Sequence, residues 1–162
     1  MRVGTHQREA GAGLSGEALL DALEAGTVRV AERDAEGRWH VNAWVKEEIL
    51  AIFRASPTVA MGDGFVDKQA LSLQRFTPED AVRLIPGGSA VRRGAHLAKG
   101  TVLVPPCYVN LGAFVGEGSM IDSHALVGSC AQIGARVHVS AAAQIGGVLE
   151  PVGSRPVIVE DD

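Results

Sequence analysis

Residues 115–144 read VGEGSM-IDSHAL-VGSCAQ-IGARVH-VSAAAQ, which are consecutive groups of six that each begin with valine or isoleucine. Four residues after the aliphatic one, the side chain is mostly small, as at Ser119, Ala125 and Ala131, although Val137 is larger. The repeat unit of the chain is therefore a hexapeptide. The same spacing extends in both directions to eleven aliphatic residues without an exception: Ile85, Val91, Leu97, Leu103, Val109, Val115, Ile121, Val127, Ile133, Val139 and Ile145.

A six-residue period fits neither an amphipathic helix, which repeats near 3.6 residues, nor a strand that alternates between two faces. It is typical of a parallel β-helix, in which each repeat buries its apolar side only by stacking on its neighbours. Three hexapeptides per coil predict a triangular prism, with one aliphatic and one small side chain pointing inward from each side. The alternative is a β-sandwich with coincidental spacing, which eleven consecutive matches make improbable.

Two helices are predicted before the repeats. Ser15 is placed to cap a first helix whose leucines share one face, and Gly26 is placed to end it. Asn42 is placed to cap a second helix with an apolar face, which Pro57 ends. The N-terminal part of the chain is therefore predicted to be α-rich.

Short extended segments lie between and after these helices. Val28–Ala31 and Trp39–Val41 predict two strands about a turn at Glu36-Gly37. Residues 58–76 mix glycine, aspartate and lysine with isolated aromatic residues, and they predict an extended connector. Thr77-Pro78-Glu79 is a helix-start signal, with proline at the first helical position, that leads into the first hexapeptide.

Two domains are expected from this pattern, an α-rich N-terminal domain over residues 1–84 and the β-helix over residues 85–162. The hexapeptide count breaks at Pro151–Pro156, and Val157–Val159 resume an apolar run before the sequence stops at Asp162. A solenoid normally ends in a capping element that covers its last coil. We therefore expect the β-helix to be incomplete in this sequence.

The composition excludes several classes of function. The 162 residues carry a formal net charge of -4 with a pI of about 5.7, which argues against nucleic-acid binding. Neither a signal peptide nor an apolar run long enough for a membrane span is apparent, so a cytoplasmic location is expected. Cys107 and Cys130 have no CxxC partner, and we interpret them as small residues of the core or a site wall in a reducing compartment.

Three histidines within the repeats raise the question of a zinc site, which needs three convergent imidazoles and an open fourth position. His96, His124 and His138 are separated by 28 and 14 residues, and neither number is a multiple of an eighteen-residue coil. We therefore expect no metal site.

Several segments closely resemble the tetrahydrodipicolinate N-succinyltransferases, hexapeptide-repeat acyltransferases with a left-handed parallel β-helix. They are Gly116–Asp122, Val127–Gly134 and Ile145–Pro151 in the repeats, with Gly37–Trp39 and Trp44–Arg54 before them. The likeness covers nearly all of the chain from about residue 15. The Met-Ile-Asp and Gly-Ser-Cys-Ala-Gln-Ile-Gly segments are more specific than the hexapeptides, which many transferases share.

The resemblance implies an enzyme of lysine and diaminopimelate biosynthesis that transfers a succinyl group from succinyl-CoA to the amino group of ring-opened tetrahydrodipicolinate. It further implies a homotrimer with active sites between neighbouring prisms. An arginine before the first coil and the aspartate of the Met-x-Asp segment contact the dicarboxylate in the family, and they fall here at Arg83 and Asp122. The second catalytic carboxylate of the family comes from a coil beyond Asp162, and we do not reassign it to Glu150.

The chemistry of these side chains agrees with such roles. The planar guanidinium of Arg83 suits bidentate binding of a carboxylate, although Arg92 and Arg93 lie nearby and offer the same group. The carboxylate of Asp122, which follows the inward Ile121, is expected to project outward and to accept a proton from the substrate's ammonium or to hold that amine. Each residue also has a non-functional interpretation: Arg83 as a cation at the C-terminus of a helix, and Asp122 as a solvated aspartate in a turn.

Three other interpretations stay open. The donor is acetyl-CoA in a related enzyme of the same pathway, and a short chain is also compatible with a non-catalytic β-helix scaffold. The small residues around Gly146-Gly147 either form a smooth wall for the pantetheine arm of CoA or simply allow tight stacking of coils.

No serine or cysteine has a recognisable activating base, so direct transfer without an acyl-enzyme is expected even with Cys130 in a conspicuous segment.

Overall fold

The computed structural model describes residues 13–162 and confirms a parallel β-solenoid preceded by a small helical unit. The solenoid has three walls of four strands, all parallel. The first wall contains β5 (Arg83–Leu84), β8 (Val102–Leu103), β11 (Met120–Ile121) and β14 (His138–Val139). The second contains β6 (Ala90–Val91), β9 (Tyr108–Val109), β12 (Leu126–Val127) and β15 (Gln144–Ile145). The third contains β7 (His96–Leu97), β10 (Phe114–Val115), β13 (Gln132–Ile133) and β16 (Ile158–Val159).

The hexapeptide pattern appears as the core of this prism. Neighbouring strands of one wall pair residues eighteen apart, as in Phe114 with Gln132, so each coil is three hexapeptides. From Val91 onward the aliphatic residue of each repeat points inward, and Val115, Ile121 and Val127 are fully buried. The small residues fill the remaining interior positions and are also buried, among them Ala95, Thr101, Ala113, Ser119, Ala125 and Ala131.

The first repeat departs from the prediction. Leu84 rather than Ile85 pairs with Leu103 and packs against the core, so the predicted inward position of Ile85 is wrong by one residue. Leu84 and Leu103 are nineteen residues apart, one more than in later coils. The extra residue is accommodated by a turn in which Gly87 and Gly88 both have positive φ.

The last strand follows an insertion at the place where the hexapeptide count breaks. Ile158 pairs with Gln132, and 158 − 132 gives 26 residues instead of eighteen. Eight extra residues therefore leave the wall between β15 and β16, and the apolar run that follows returns to the third wall as predicted.

The N-terminal unit has two helices, α1 (Gly16–Glu24) and α2 (Ala43–Ala55), as the sequence indicates. Gly26 ends α1 in a Schellman motif, since the N–H groups of Gly26 and Thr27 donate to the carbonyls of Leu23 and Ala22. Ser15 and Asn42 occupy the cap positions, but neither side chain caps its helix. The Asn42 amide donates to the carbonyl oxygen of Arg29 instead.

The strands of this unit differ in part from the prediction. The antiparallel pair β1 (Ala31–Arg33) and β2 (Trp39–Val41) forms, but β1 begins where the predicted strand ends. The predicted extended connector over residues 58–76 is wrong, because it contains the antiparallel hairpin β3 (Thr58–Gly62) and β4 (Phe65–Lys68). Two 3-10 turns follow, Gln69–Leu71 and Pro78–Asp80, and the second has the capping box that Thr77 predicts.

The helical unit packs against the third wall and the corner that leads into it. Its core contains leucines of α1 and isoleucines of α2 together with Leu111 and Cys130. These two residues project from the same corner of the solenoid in two successive coils. His96 on β7 donates a hydrogen bond from its Nδ1 to the carbonyl oxygen of Glu24, at the end of α1, and its ring stacks on Phe114. The outer face of the first wall is therefore on a different side of the prism from the helices. Within residues 13–162 no helix has the length and apolar character needed to cross a membrane.

Candidate functional site

Arg83 and Asp122 project from the same outer face. Leu84 and Ile121 lie at the same position in strands of the first wall, and both side chains point into the core. Side chains alternate between the two faces along a strand. Arg83 on β5 and Asp122 directly after β11 therefore both point away from the core. Two strand spacings and two residues along the strand place their Cα atoms about 12 Å apart. The structure thus brings the two predicted substrate residues to one surface.

Asp122 is held by two hydrogen bonds to its carboxylate. Its Oδ1 accepts from the backbone N–H of Ser123 at 2.7 Å, and its Oδ2 lies 3.1 Å from Nε2 of His138. The Ser123 N–H and, next, His138 hold the pKa of the Asp122 carboxyl below its ordinary value. A carboxylate with a lowered pKa is a weak base, so this arrangement favours holding an ammonium over removing its proton.

Arg83 is the arginine of its region that remains available. Arg92 is bound through one Nη to both carboxylate oxygens of Asp67, at 2.8 and 2.6 Å. Arg93 is bound to Asp21 and to Glu24, at 2.6 and 2.7 Å, and so ties the solenoid to α1. Arg83 is exposed, and among the residues that the structure describes it has no acidic partner within 4.0 Å. It lies on a strand, so the interpretation as a helix C-terminal cation does not apply.

His138 belongs to this surface, and the sequence reasoning considered it only as a metal ligand. It pairs with Met120 across β11 and β14, which places its ring beside the carboxylate that follows β11. The sequence spacing could have predicted this proximity. A residue sixteen positions after Asp122 lies one eighteen-residue coil later and two residues back along the same face. The other two histidines of the zinc hypothesis lie elsewhere, His96 on the third wall and His124 at an exposed corner with positive φ.

The two neighbouring glycines of the proposed CoA wall differ from each other. A Cβ on Gly147 would lie 1.9 Å from the carbonyl oxygen of Ser129 in the preceding coil, so this residue is required for coil stacking. A Cβ on Gly146 would meet only a methyl group of Val157, at 3.9 Å. The stacking interpretation therefore accounts for Gly147, whereas Gly146 is exposed and free of that constraint.

Neither cysteine is poised as a nucleophile. Both are free and buried, as the sequence predicts. Burial raises the pKa of the Cys107 thiol, and it raises the pKa of the Cys130 thiol to about 12. Because the thiolate is the reactive form, both groups are unreactive at neutral pH. This agrees with the expectation of direct transfer.

A cavity of about 910 Å³ lies away from this surface, between the β1–β2 hairpin and the third wall. Glu160 in its wall is already engaged, since it accepts hydrogen bonds from both Arg33 and Trp39. We therefore place the candidate site on the first wall, where Arg83 and Asp122 face solvent, and not in this cavity.

Comparison with known proteins gives one consistent family. Residues 14–55 match the family described as tetrahydrodipicolinate N-succinyltransferase N-terminal. The chain is 48% identical over 153 residues to the 2,3,4,5-tetrahydropyridine-2,6-dicarboxylate N-succinyltransferase of Polynucleobacter asymbioticus, which covers 90% of this chain and 55% of that protein. It is 48% identical over 155 residues to the enzyme of that name from Paramagnetospirillum magneticum, and this match covers 90% of this chain and 54% of that enzyme. The corresponding enzyme of Xylella fastidiosa is 47% identical over 153 residues, with 88% and 53% covered.

These matches confirm the resemblance inferred from the sequence, in the helical unit as well as in the repeats. The chain spans about half the length of the curated relatives it matches.

Proposed function

We infer that this chain, which is related over nine tenths of its length to tetrahydrodipicolinate N-succinyltransferases, takes part in succinyl transfer from succinyl-CoA to the amino group of ring-opened tetrahydrodipicolinate. The observation that carries the proposal is that Arg83 and Asp122 project from one accessible face of the first wall. A cation and an anion on one face can bind a substrate that carries both a carboxylate and an amine. The acetyl alternative is not favoured, since the relatives are named as succinyltransferases.

In this proposal Arg83 binds one substrate carboxylate through its planar guanidinium. Asp122 accepts a hydrogen bond from the substrate nitrogen and orients it toward the thioester carbonyl. The ammonium first loses a proton to solvent, and the neutral amine attacks the thioester carbonyl. The C–N bond forms, the C–S bond breaks, and the second proton lost by the nitrogen goes to the departing sulfur, so that CoA leaves as the thiol. Asp122 is not assigned as the base that deprotonates the ammonium, because the lowered pKa of its carboxyl opposes that role.

The assembly, the cosubstrate and the location are parts of the same proposal. We expect a homotrimer in which a neighbouring prism faces the first wall and completes the cleft, with succinyl-CoA as donor and without a metal ion. A cytoplasmic location agrees with the two free thiols, which are usual in a reducing compartment.

The test is a comparison of donors with tetrahydrodipicolinate as acceptor, followed by release of the CoA thiol. The proposal predicts that kcat/KM with succinyl-CoA exceeds that with acetyl-CoA by at least about tenfold, a difference of 1.4 kcal/mol in transition-state stabilisation. Preference for acetyl-CoA would identify the related acetyl enzyme. Absence of thiol release with either donor would favour the non-catalytic scaffold.

A further inference from the structure

We propose that His138 is a positioning residue of the substrate site, which fixes the Asp122 carboxylate in the orientation that receives the substrate's nitrogen. The proposal rests on the function proposed above and adds a residue to it. It does not give His138 any contact with the reacting atoms.

The solenoid geometry places the two side chains together. β14 is the next strand after β11 in the first wall, and His138 pairs with Met120, two residues before Asp122. The imidazole therefore lies diagonally across one strand spacing from the carboxylate, with Nε2 3.1 Å from Oδ2. His138 lies on β14, and Asp122 directly follows β11, where its backbone N–H donates to the Val139 carbonyl at 3.0 Å, so their relative position follows from the pairing of successive coils.

The direction of the hydrogen bond follows from the chemistry of the partners. An ionised carboxylate has only acceptor sites, so the imidazole must carry its proton on Nε2. The lowered pKa of Asp122 shows that its ionised form is the one stabilised here.

The two donors together define which lone pairs remain free. The Ser123 N–H occupies one site on Oδ1 and the His138 N–H occupies one site on Oδ2. Rotation of the carboxyl group about its bond to Cβ would break both hydrogen bonds. The remaining lone pairs are thereby held in one orientation, and part of the entropy cost of orienting the substrate nitrogen is met before binding.

The exposure of the pair limits the size of the effect. The His138 side chain is 56% exposed and that of Asp122 is 27% exposed, so water competes for both groups. We expect loss of the His138 donor to raise the KM for tetrahydrodipicolinate about three- to tenfold. The KM for succinyl-CoA is expected to stay unchanged.

The experiment compares His138→Phe, which keeps a ring without a donor, with His138→Gln, whose Nε2 can take the place of the imidazole Nε2. Steady-state kinetics by CoA-thiol release give kcat and both KM values, and His40→Phe, on the distant strand β2, is the matched control. The expected result is a raised KM for the dicarboxylate in His138→Phe, recovery toward wild type in His138→Gln, and no change in the control. In an Asp122→Asn background, His138→Phe is expected to have no further effect.

Three results would overturn the inference. The first is an unchanged KM in His138→Phe, and the second is that His138→Gln behaves no better than His138→Phe, which would assign His138 a packing role. The third is failure of the wild-type protein to use tetrahydrodipicolinate, and this result alone would also remove the proposed function.

Discussion

Gly147→Ala is predicted to destabilise the solenoid severely, whereas Gly146→Ala is not. The added methyl group at residue 147 would lie 1.9 Å from the Ser129 carbonyl oxygen and 2.5 Å from its nitrogen. Comfortable contact needs about 3.5 Å, so the two coils would have to separate by more than 1 Å. Because both surfaces are backbone, no side-chain rotation can relieve the overlap.

The cost is expected at about 3 kcal/mol or more, at the upper end of what overpacking costs in a protein core. For a chain of this size that corresponds to a fall in Tm of roughly 6–12 °C. At residue 146 the methyl group meets one carbon at 3.9 Å, and the φ angle there is not in the positive range. Gly146→Ala is therefore expected to be neutral or to stabilise the protein by up to about 1 kcal/mol, through the unfolded state.

The assay is urea unfolding followed by circular dichroism, with both variants and the wild type in parallel. Equal stabilities of the two variants would refute the stacking argument. The same pair of proteins tests the proposed CoA wall, because a raised KM for succinyl-CoA in stable Gly146→Ala would show that the pantetheine arm lies against this residue. An unchanged KM would leave the glycines with a purely structural role.

Two further predictions concern buried groups. Cys130→Ala is expected to retain acyl transfer, since the pKa of its thiol is raised to about 12, with a loss of about 1 kcal/mol in unfolding free energy; loss of transfer with both substrates still bound would instead point to an acyl-enzyme. Lys46 is buried and its Nζ donates to the Ser154 carbonyl at 2.6 Å, and burial lowers its pKa from 10.5. The unfolded chain then binds more protons than the native one just below pH 10.5, so the stability of wild type relative to Lys46→Met should rise with pH in that window. A flat difference in unfolding free energy from pH 7 to 10.5 would contradict this.

The repeat and the core could be predicted from the sequence, because an aliphatic residue at every sixth position is enough to identify the side chains that point into the core. The register of the first coil could not, since Ile85 is as apolar as Leu84 and only pairing with Leu103 distinguishes them. The extra residue lies in the Gly87-Gly88 turn, where spacing carries no hydrophobic signal.

The β3–β4 hairpin shows a different failure. Asp63-Gly64 lies between its strands, and Asp-Gly is among the strongest short-range hairpin signals. Alternation does not predict β4, because Phe65 and Val66 are both exposed, at 71% and 67%, whereas β3 alternates between exposed and half-buried residues.

For the candidate site, the sequence supplied the individual residues and the structure supplied their arrangement. Asp122 was expected to project outward because it follows Ile121, and it does so. The pairing of Asp122 with His138 depends on the coil length and on the direction of neighbouring strands. Those become certain only when the eighteen-residue register is known. The roles of Arg83 and Asp122 toward a substrate stay predictions.

The central claim is that the carboxylate of Asp122 orients the substrate's nitrogen, and Asp122→Asn tests it most directly. The amide keeps the shape of the side chain and removes its charge, so the fold should be unaffected. We expect kcat/KM for succinyl transfer to tetrahydrodipicolinate to fall by at least about tenfold, because a hydrogen bond from the substrate nitrogen to a charged group is lost, with an unchanged unfolding free energy to within about 0.5 kcal/mol. The control is Arg54→Gln, at an exposed residue of α2 in the helical unit, and its kcat/KM should equal that of the wild type. Succinyl transfer by Asp122→Asn within threefold of wild type would contradict the account and leave Asp122 as a turn residue.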